Sequence, residues 1–273
     1  MSLCYQIHVD TSSAVFTQTN RPDISGNPVP ARVISQPVIK NGGNPLDISY
    51  FLSQTHKRLR RITLKSVELP VGFYNIRAPY NTITIDGVVY TIQEGNYTID
   101  SLIGSMNGTI GIAIGQFNVN KMLNKITFVP TSPNSSVAAY ATINVTAPLP
   151  NDASINIPCL GYFLGFTDGQ YGTEVTATNS YLINFDNYVQ IHIPTLGRSS
   201  LENTKCTFKV PITVPSGGVQ FYQEQTGFNQ TVEVTDRNIL FDRIDLQVLD
   251  RFGQPLDNNG LDWSFTLEIE SDT

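Results

Sequence analysis

Three histidines, three cysteines and a few clustered carboxylates are the side chains here best equipped for chemistry, and their spacing decides what kind. His8, His56 and His192 each stand without another His, Cys or carboxylate at metal-ligand spacing, and His192 alternates with Ile191 and Ile193 as a strand residue facing away from them. Cys4, Cys159 and Cys206 are odd in number, far apart and form no C-x-x-C, so neither a disulfide framework nor a zinc site is expected. They read as small buried hydrophobes of a reducing compartment. Asp257-Asn-Asn-Gly-Leu-Asp262 has a calcium-loop flavour. Aligning Gly260 as the sixth loop position puts Pro255 first and Thr266 twelfth, and both are wrong for an EF-hand. A turn held by Asx hydrogen bonds fits that segment better. Asp242 and Asp245 have no acid/base context, no G-x-S-x-G elbow occurs, and Gly95 is followed by a helix but has Glu94 beside it to repel an anion. No catalytic, cofactor-binding or metal-binding residue is expected, which points to a building block or a binder rather than an enzyme.

The strongest charge signal is His56-Lys-Arg-Leu-Arg-Arg61. Residues 1–65 hold eight Lys/Arg against three Asp, whereas the rest of the chain holds nine basic against twenty acidic residues. Such asymmetry suggests a segment with a partner of its own. Lys57, Arg58, Arg60 and Arg61 are therefore candidates for a subunit or genome contact. No interleaved aromatics or recognition-helix pattern supports base reading, so any nucleic-acid contact would be nonspecific and made to phosphates.

The elements that must carry these residues are mostly strands. In 273 residues, 15% are charged, 40% hydrophobic and 10% aromatic, with 20 Gly and 16 Pro. That is the composition of many short strands joined by turns, with few helices. No apolar run reaches bilayer length, and no basic-then-apolar leader opens the sequence, so a protein made in the cytosol is expected. Residues 1–60 alternate Pro- and Gly-rich stretches with sparse apolar residues and read as an extended N-terminal arm, apart from one strand within Gln6 to Phe16. Residues 61–273 read as the folded domain. Ile62, Leu64, Val67 and Leu69 mark its first strand, and Asp86-Gly87 turns a hairpin over Asn81 to Ile92. A short helix follows, capped by Thr98, with Ile99, Leu102, Ile103 and Met106 on one face and Asn107-Gly108 as its end. Further strands are expected at Lys125–Val129, Tyr140–Val145, Tyr181–Ile193, Cys206–Val214 and Thr231–Val234, with Pro211 at an edge and Leu160–Phe166 as a buried strand or tight corner. The chain closes on two alternating runs, Ile244/Leu246/Val248 and Leu261/Trp263/Phe265/Leu267/Ile269, separated by the turn-rich Asp250 to Gly260. Roughly eight to eleven strands at this spacing predict an all-β sandwich or jelly roll.

Three stretches carry a family resemblance. Asp242-Arg-Ile-Asp-Leu-Gln-Val-Leu-Asp-Arg-Phe-Gly253 with Leu256 to Ile269 resembles the C-terminal strands of jelly-roll capsid proteins of large double-stranded DNA viruses and virophages. Gly95 to Asn107 is similar to their hairpin-then-helix insert, and Leu160 to Phe166 to their LGF segment. The matches cover about half of residues 80–270. One jelly roll's worth of chain resembles the penton proteins of that lineage rather than their longer, two-jelly-roll major capsid proteins.

The resemblance implies a single jelly-roll β-sandwich with one short inserted helix, a structural role without enzyme activity or cofactor, and a homopentamer at the five-fold vertices. It implies neighbouring major and minor capsid proteins as partners and a place in the virion capsid, assembled in the host cytoplasm or nucleus. In a jelly roll the last two strands belong to opposite sheets, so Asp250 to Gly260 is expected to cross between sheets and Trp263 to face the core. Another minor capsid or vertex-associated protein is an alternative. A receptor- or carbohydrate-binding sandwich is a second, with Tyr162 to Tyr171 or Phe221-Tyr222 as its aromatic site, and a glycosidase is weakest for want of a carboxylate pair.

Overall fold

A computed structural model describes residues 2–16, 35–40, 43–133, 135–144, 154–168, 171–196, 207–224, 230–234 and 240–272. In chain order the elements are β1 (Ser2–Asp10), β2 (Val15–Phe16), β3 (Pro37–Ile39), β4 (Asp47–His56) and β5 (Leu59–Pro70). Then come β6 (Thr82–Ile85), β7 (Val88–Thr91), α1 (Ile99–Ile110), β8 (Gly115–Asn120), β9 (Lys125–Pro130), β10 (Ser135–Ser136), β11 (Tyr140–Asn144), β12 (Ser154–Pro158), α2 (Leu160–Phe163), β13 (Tyr171–Gly172) and β14 (Val175–Thr176). The last six are β15 (Tyr188–His192), β16 (Phe208–Pro211), β17 (Val219–Gln223), β18 (Thr231–Glu233), β19 (Phe241–Leu249) and β20 (Ser264–Asp272). They form two compact units, one of residues 1–73 with 186–273 and one of residues 74–185. The expected undivided domain over 61–273 thus divides in two.

The first unit is a β-sandwich. One sheet has the order β1-β20-β5-β17, with β18 also on β5, and the other runs β16-β15-β19-β4-β3-β2. All pairings are antiparallel except β2 with β3. Ile62, Leu64 and Val67 of β5, with Phe265, Leu267 and Ile269 of β20, meet Ile48 of β4 and Ile244, Leu246 and Val248 of β19 in one buried cluster. Period-2 alternation, interrupted in β5 by a bulge between Leu64 and Val67, puts those residues on one face of each strand, and their removal from water is the main stabilising term.

The closing strands lie as expected. β19 pairs with β15 and β4, and β20 pairs with β1 and β5, so the two sit in opposite sheets. Asp250 to Gly260 is the crossing. Asp250 is buried, and its Oδ1 accepts the N–H groups of Phe252 at 2.8 Å and Gln254 at 2.9 Å. Trp263, 2% exposed, stacks on Phe265 and donates its indole N–H to the Pro45 carbonyl at 2.7 Å.

Residues 1–60 behave differently from a free arm. β1 pairs along its whole length with β20, and β4 lies between β19 and β3. Val9, Val38, Ile39, Leu46, Ile48 and Leu52 join the core. Those residues are sparse along the sequence and converge only in three dimensions, so composition hides them. The expected single strand over Gln6 to Phe16 stops at Asp10, whose carboxylate caps a 3-10 turn over Thr11–Ser13. Residues 17–34 lie outside the described part.

The second unit has its own core. α1 buries Leu102, Ile103, Met106 and Ile110 against strand residues such as Phe117, Ile126 and Phe128. Its capping box joins Thr98 and Ser101, as Thr98 suggested. The helix runs past Asn107-Gly108 to Ile110 and stops at Gly111, φ +75°. Asn107 is kept helical because its amide serves β8: Nδ2 donates to the Phe117 carbonyl at 2.9 Å and Oδ1 accepts the Phe117 N–H at 2.7 Å. The β6–β7 hairpin turns at Asp86 (φ 48°) and Gly87 (φ 80°), the paired positive φ of a type I′ turn. Leu160–Phe166 is the tight-corner alternative, a single helical turn leaving at Gly165, φ +89°. Of the expected strand Tyr181–Ile193, only Tyr188–His192 pairs. β16 is an edge strand, which accommodates Pro211. Cys159 is buried, Cys4 is exposed on β1, and Cys206 lies outside the described residues. Among the described residues no helix is long and apolar enough to cross a membrane.

Candidate assembly surface

The four basic candidates sit where the chain passes from one sheet to the other. β4 ends at His56 in the six-stranded sheet and β5 begins at Leu59 in the five-stranded sheet. Lys57 and Arg58 are the two residues between, both exposed. Arg58 takes φ 52°, and its carbonyl accepts the Asp272 N–H at 3.1 Å. The crossing is tight enough to need a left-handed residue, and it holds both side chains on the rim of the sandwich.

Arg60 and Arg61 are placed by a bulge. Against β20, Arg61 pairs with Glu270 but Leu59 pairs with Ser271, which leaves Arg60 as an extra residue. The pairing slips again between Leu64 and Ser66, leaving Lys65 extra. A bulge puts two consecutive side chains on one face. Arg60 and Arg61 accordingly both face outward, as do Lys65 and Ser66, while Leu59, Ile62, Leu64 and Val67 stay buried. The sequence signal is the three-residue step from Leu64 to Val67 and the Arg-Arg pair after Leu59. Neither fits strict alternation.

On that outer face the cations meet an acidic ladder on β20. Arg60 reaches Glu270 at 3.4 Å and Asp272 at 3.7 Å, and Arg61 also pairs with Glu270. Lys65 lies 2.5 Å from Glu224 and 3.4 Å from Glu268, and its bond to Glu224 holds the ammonium pKa above its ordinary value. The structure therefore brings Arg60 and Arg61 together within their own sheet and leaves Lys57 and Arg58 on the rim. Exposed pairs of this kind contribute at most about 1 kcal/mol each.

The other candidate residues have structural partners. Asp245, part of the Asp242/Asp245 pair, accepts from Ser49 at 2.5 Å and lies 3.3 Å from Lys40 and 2.7 Å from Arg243. In the calcium-like stretch, Asp257 accepts the Asn259 N–H at 2.9 Å, and Asn258 accepts the Gly72 N–H at 2.8 Å. The Asn258 bond fastens the crossing to the segment just past β5, and the Asp257 bond closes a local turn. Among the described residues, no group of three or more His, Cys, Asp or Glu is placed to hold a metal. Of the aromatic candidates, Phe221 is 65% exposed on β17, whereas Tyr222 packs against the core. Tyr162 and Tyr140 form an exposed ring pair with centroids 5.4 Å apart.

Two facing antiparallel sheets with the final strands divided between them make the first unit a jelly-roll-type β-sandwich. No protein-family model matches the chain, and no curated protein does. Among solved structures, the crystal structure of selenomethionine-labelled mavirus penton protein is similar to it, with 13% identity, a TM-score of 0.39, and coverage of 84% of this chain and 92% of that one. A likeness of that strength assigns no function.

Proposed function

We propose that this chain is a structural capsid protein, a penton subunit that assembles as a homopentamer at the five-fold vertices of an icosahedral shell. The observation that carries the proposal is the closing pair. β19 and β20 stand in opposite sheets, joined by a crossing whose polar side chains serve the main chain. This is the arrangement implied by the resemblance of Asp242–Gly253 and Leu256–Ile269 to capsid jelly rolls. A ring of five uses a heterologous interface that closes on itself, so each subunit needs two different side surfaces. The outer face of the five-stranded sheet, with its bulge-paired cations and β20 carboxylates, supplies one surface of mixed charge. Lys57, Arg58, Arg60 and Arg61 then contact an adjacent subunit, a neighbouring major or minor capsid protein, or packaged nucleic acid through phosphates. No enzyme activity and no cofactor belong to this role, and its location is the virion.

Sedimentation and native mass spectrometry of the full chain test assembly. The expected species is five times the 30.1 kDa chain. A monomer at every concentration, both alone and with shell proteins, would count against it. The exposed Tyr140–Tyr162 pair favours a second reading, a saccharide-binding function in the second unit. Saturable glycan binding lost in Tyr162→Ala would support it.

A further inference from the structure

β1 is the edge strand of its sheet, nine residues long and regular, and it lacks the usual protections of an edge. It contains no Pro, no Lys and no bulge. The direction of its unused groups follows from the ladder. Thr11 donates its N–H to Trp263 in the β1–β20 register, whereas Asp272 donates to Arg58 on the other side of β20. Odd-numbered residues of β1 therefore bond β20, and the N–H and C=O groups of Cys4, Gln6 and His8 point away from the sheet.

Gln6 and His8 are among the residues that border a slot of about 220 Å³. One wall is the consecutive run Tyr5 to His8, and the other is Leu52 to Gln54 of β4. Consecutive residues line a slot only when a strand presents its edge, so two strand edges bound this space. β4 is loosely held there: between the pairs Phe51–Arg243 and His56–Phe241 it has four residues where β19 has one. The volume is below the roughly 300–1,000 Å³ of compact small-molecule sites, and walls made of two strand segments suit an extended chain.

The slot also has a chemical preference. His56 is 5% exposed, lines the slot and touches Tyr5 edge-on at 4.7 Å, with no hydrogen-bond partner for its imidazole among the described residues. His8 lines the same space, with Nδ1 3.1 Å from the Thr266 hydroxyl. Tyr, Gln and Ser side chains make up most of the remaining lining, with no acidic residue and no Lys or Arg. The His56 nitrogens are not among the sealed side-chain atoms that lack a partner, so the imidazole opens onto the slot, where an entering acceptor can bond it and a carboxylate makes the stronger, charge-assisted bond.

We propose that this slot binds an extended segment of another polypeptide, which adds to the β1 edge as a strand and sets a carboxylate side chain against His56. Main-chain bonding to Gln6 and His8 supplies affinity, and the imidazole selects acid over amide.

The test uses the full chain and two probes, acetyl-Thr-Val-Glu-Val-Thr-amide and its Gln counterpart, titrated by calorimetry. The Glu peptide should bind at least about tenfold more tightly than the Gln peptide. Gln6→Pro removes one outward N–H without touching the β20 ladder, and it should weaken both peptides. His56→Phe should erase the preference while leaving binding at the Gln-peptide level. Should that variant fail to fold, the His56 ring resonances of the unaltered protein serve instead, and they should move with the Glu peptide and not the Gln peptide. Equal binding of the two peptides, no binding of either at about 1 mM, or unchanged binding by Gln6→Pro would overturn the proposal. So would a peptide-free dimer abolished by Gln6→Pro, because the edge would then belong to a second copy.

Discussion

Replacing Asp250 tests what holds the crossing between the last two strands. Its carboxylate accepts two main-chain N–H groups, from Phe252 and Gln254, while the residue itself is 1% exposed. Hydrogen bonds to a charged group contribute about 1.5–3 kcal/mol each. Phe252 and Gln254 are only half-buried, so water recovers part of the loss, and deleting the carboxylate removes its own desolvation cost. The net for Asp250→Ala is about 2–3 kcal/mol of destabilisation. Asp250→Asn keeps an acceptor oxygen in place and should lose about 1 kcal/mol or less. Equilibrium urea unfolding followed by tryptophan fluorescence suits the question. Trp263 is the sole Trp, it is buried, and it lies just beyond the crossing, so the signal reports the sandwich alone. Equal stabilities for the Ala and Asn variants, or an Ala variant within about 0.5 kcal/mol of the parent, would refute the assignment of Asp250 as the crossing's anchor.

Asn107→Leu keeps the volume but strips both bonds to Phe117; at about 2 kcal/mol, hydrogen exchange at the Phe117 amide should quicken roughly thirtyfold, and an unchanged rate would contradict the strand-like role of this amide. Two glycines should respond in opposite ways. A Cβ at Gly161 would lie 2.0 Å from the Ala138 carbonyl oxygen, so Gly161→Ala should abolish folding of the second unit by near-ultraviolet dichroism, whereas Gly104 in α1 faces open space and Gly104→Ala should stabilise by about 0.5–1 kcal/mol. Burial holds the His56 pKa below its ordinary 6.5. The unfolded chain therefore binds the extra proton first, and stability is full above pH 6.5 and lost as pH falls through and below it toward the folded value. Urea midpoints of the parent should drop over that window more than those of His56→Phe, and parallel curves would argue against it.

Much of the sandwich was legible because alternation and burial coincide. Ile244, Leu246 and Val248 of β19, and Phe265, Leu267 and Ile269 of β20, are buried as their spacing demanded. The Asp86-Gly87 hairpin and the start of α1 were equally plain, since turn and cap chemistry is local. What sequence could not give is whatever depends on distant partners. Asn107 reads as a helix stop until Phe117 is seen bonded to it. β4 reads as arm because it follows long Pro- and Gly-rich stretches, although Ile48, Phe51 and Leu52 are buried in it, and β1 reads as strand only from Gln6 onward. The division into two units leaves no composition shift at Phe73 or Asp186. The basic run was visible, but its bulges show only as small breaks in alternation, and Arg60 and Arg61 could not be matched to Glu270 across some two hundred residues. The slot beneath β1 has no sequence signal, because an open edge is a property of the sheet.

Electron cryomicroscopy of virus particles purified from cells that express this chain, with the density fitted at side-chain detail, tests the proposed vertex assignment most directly. Five copies of the sandwich are expected around each five-fold axis, with the Lys57–Arg61 rim against a neighbouring molecule. Five-fold positions filled by another protein, with this chain elsewhere on the shell or absent from it, would rule out the vertex assignment.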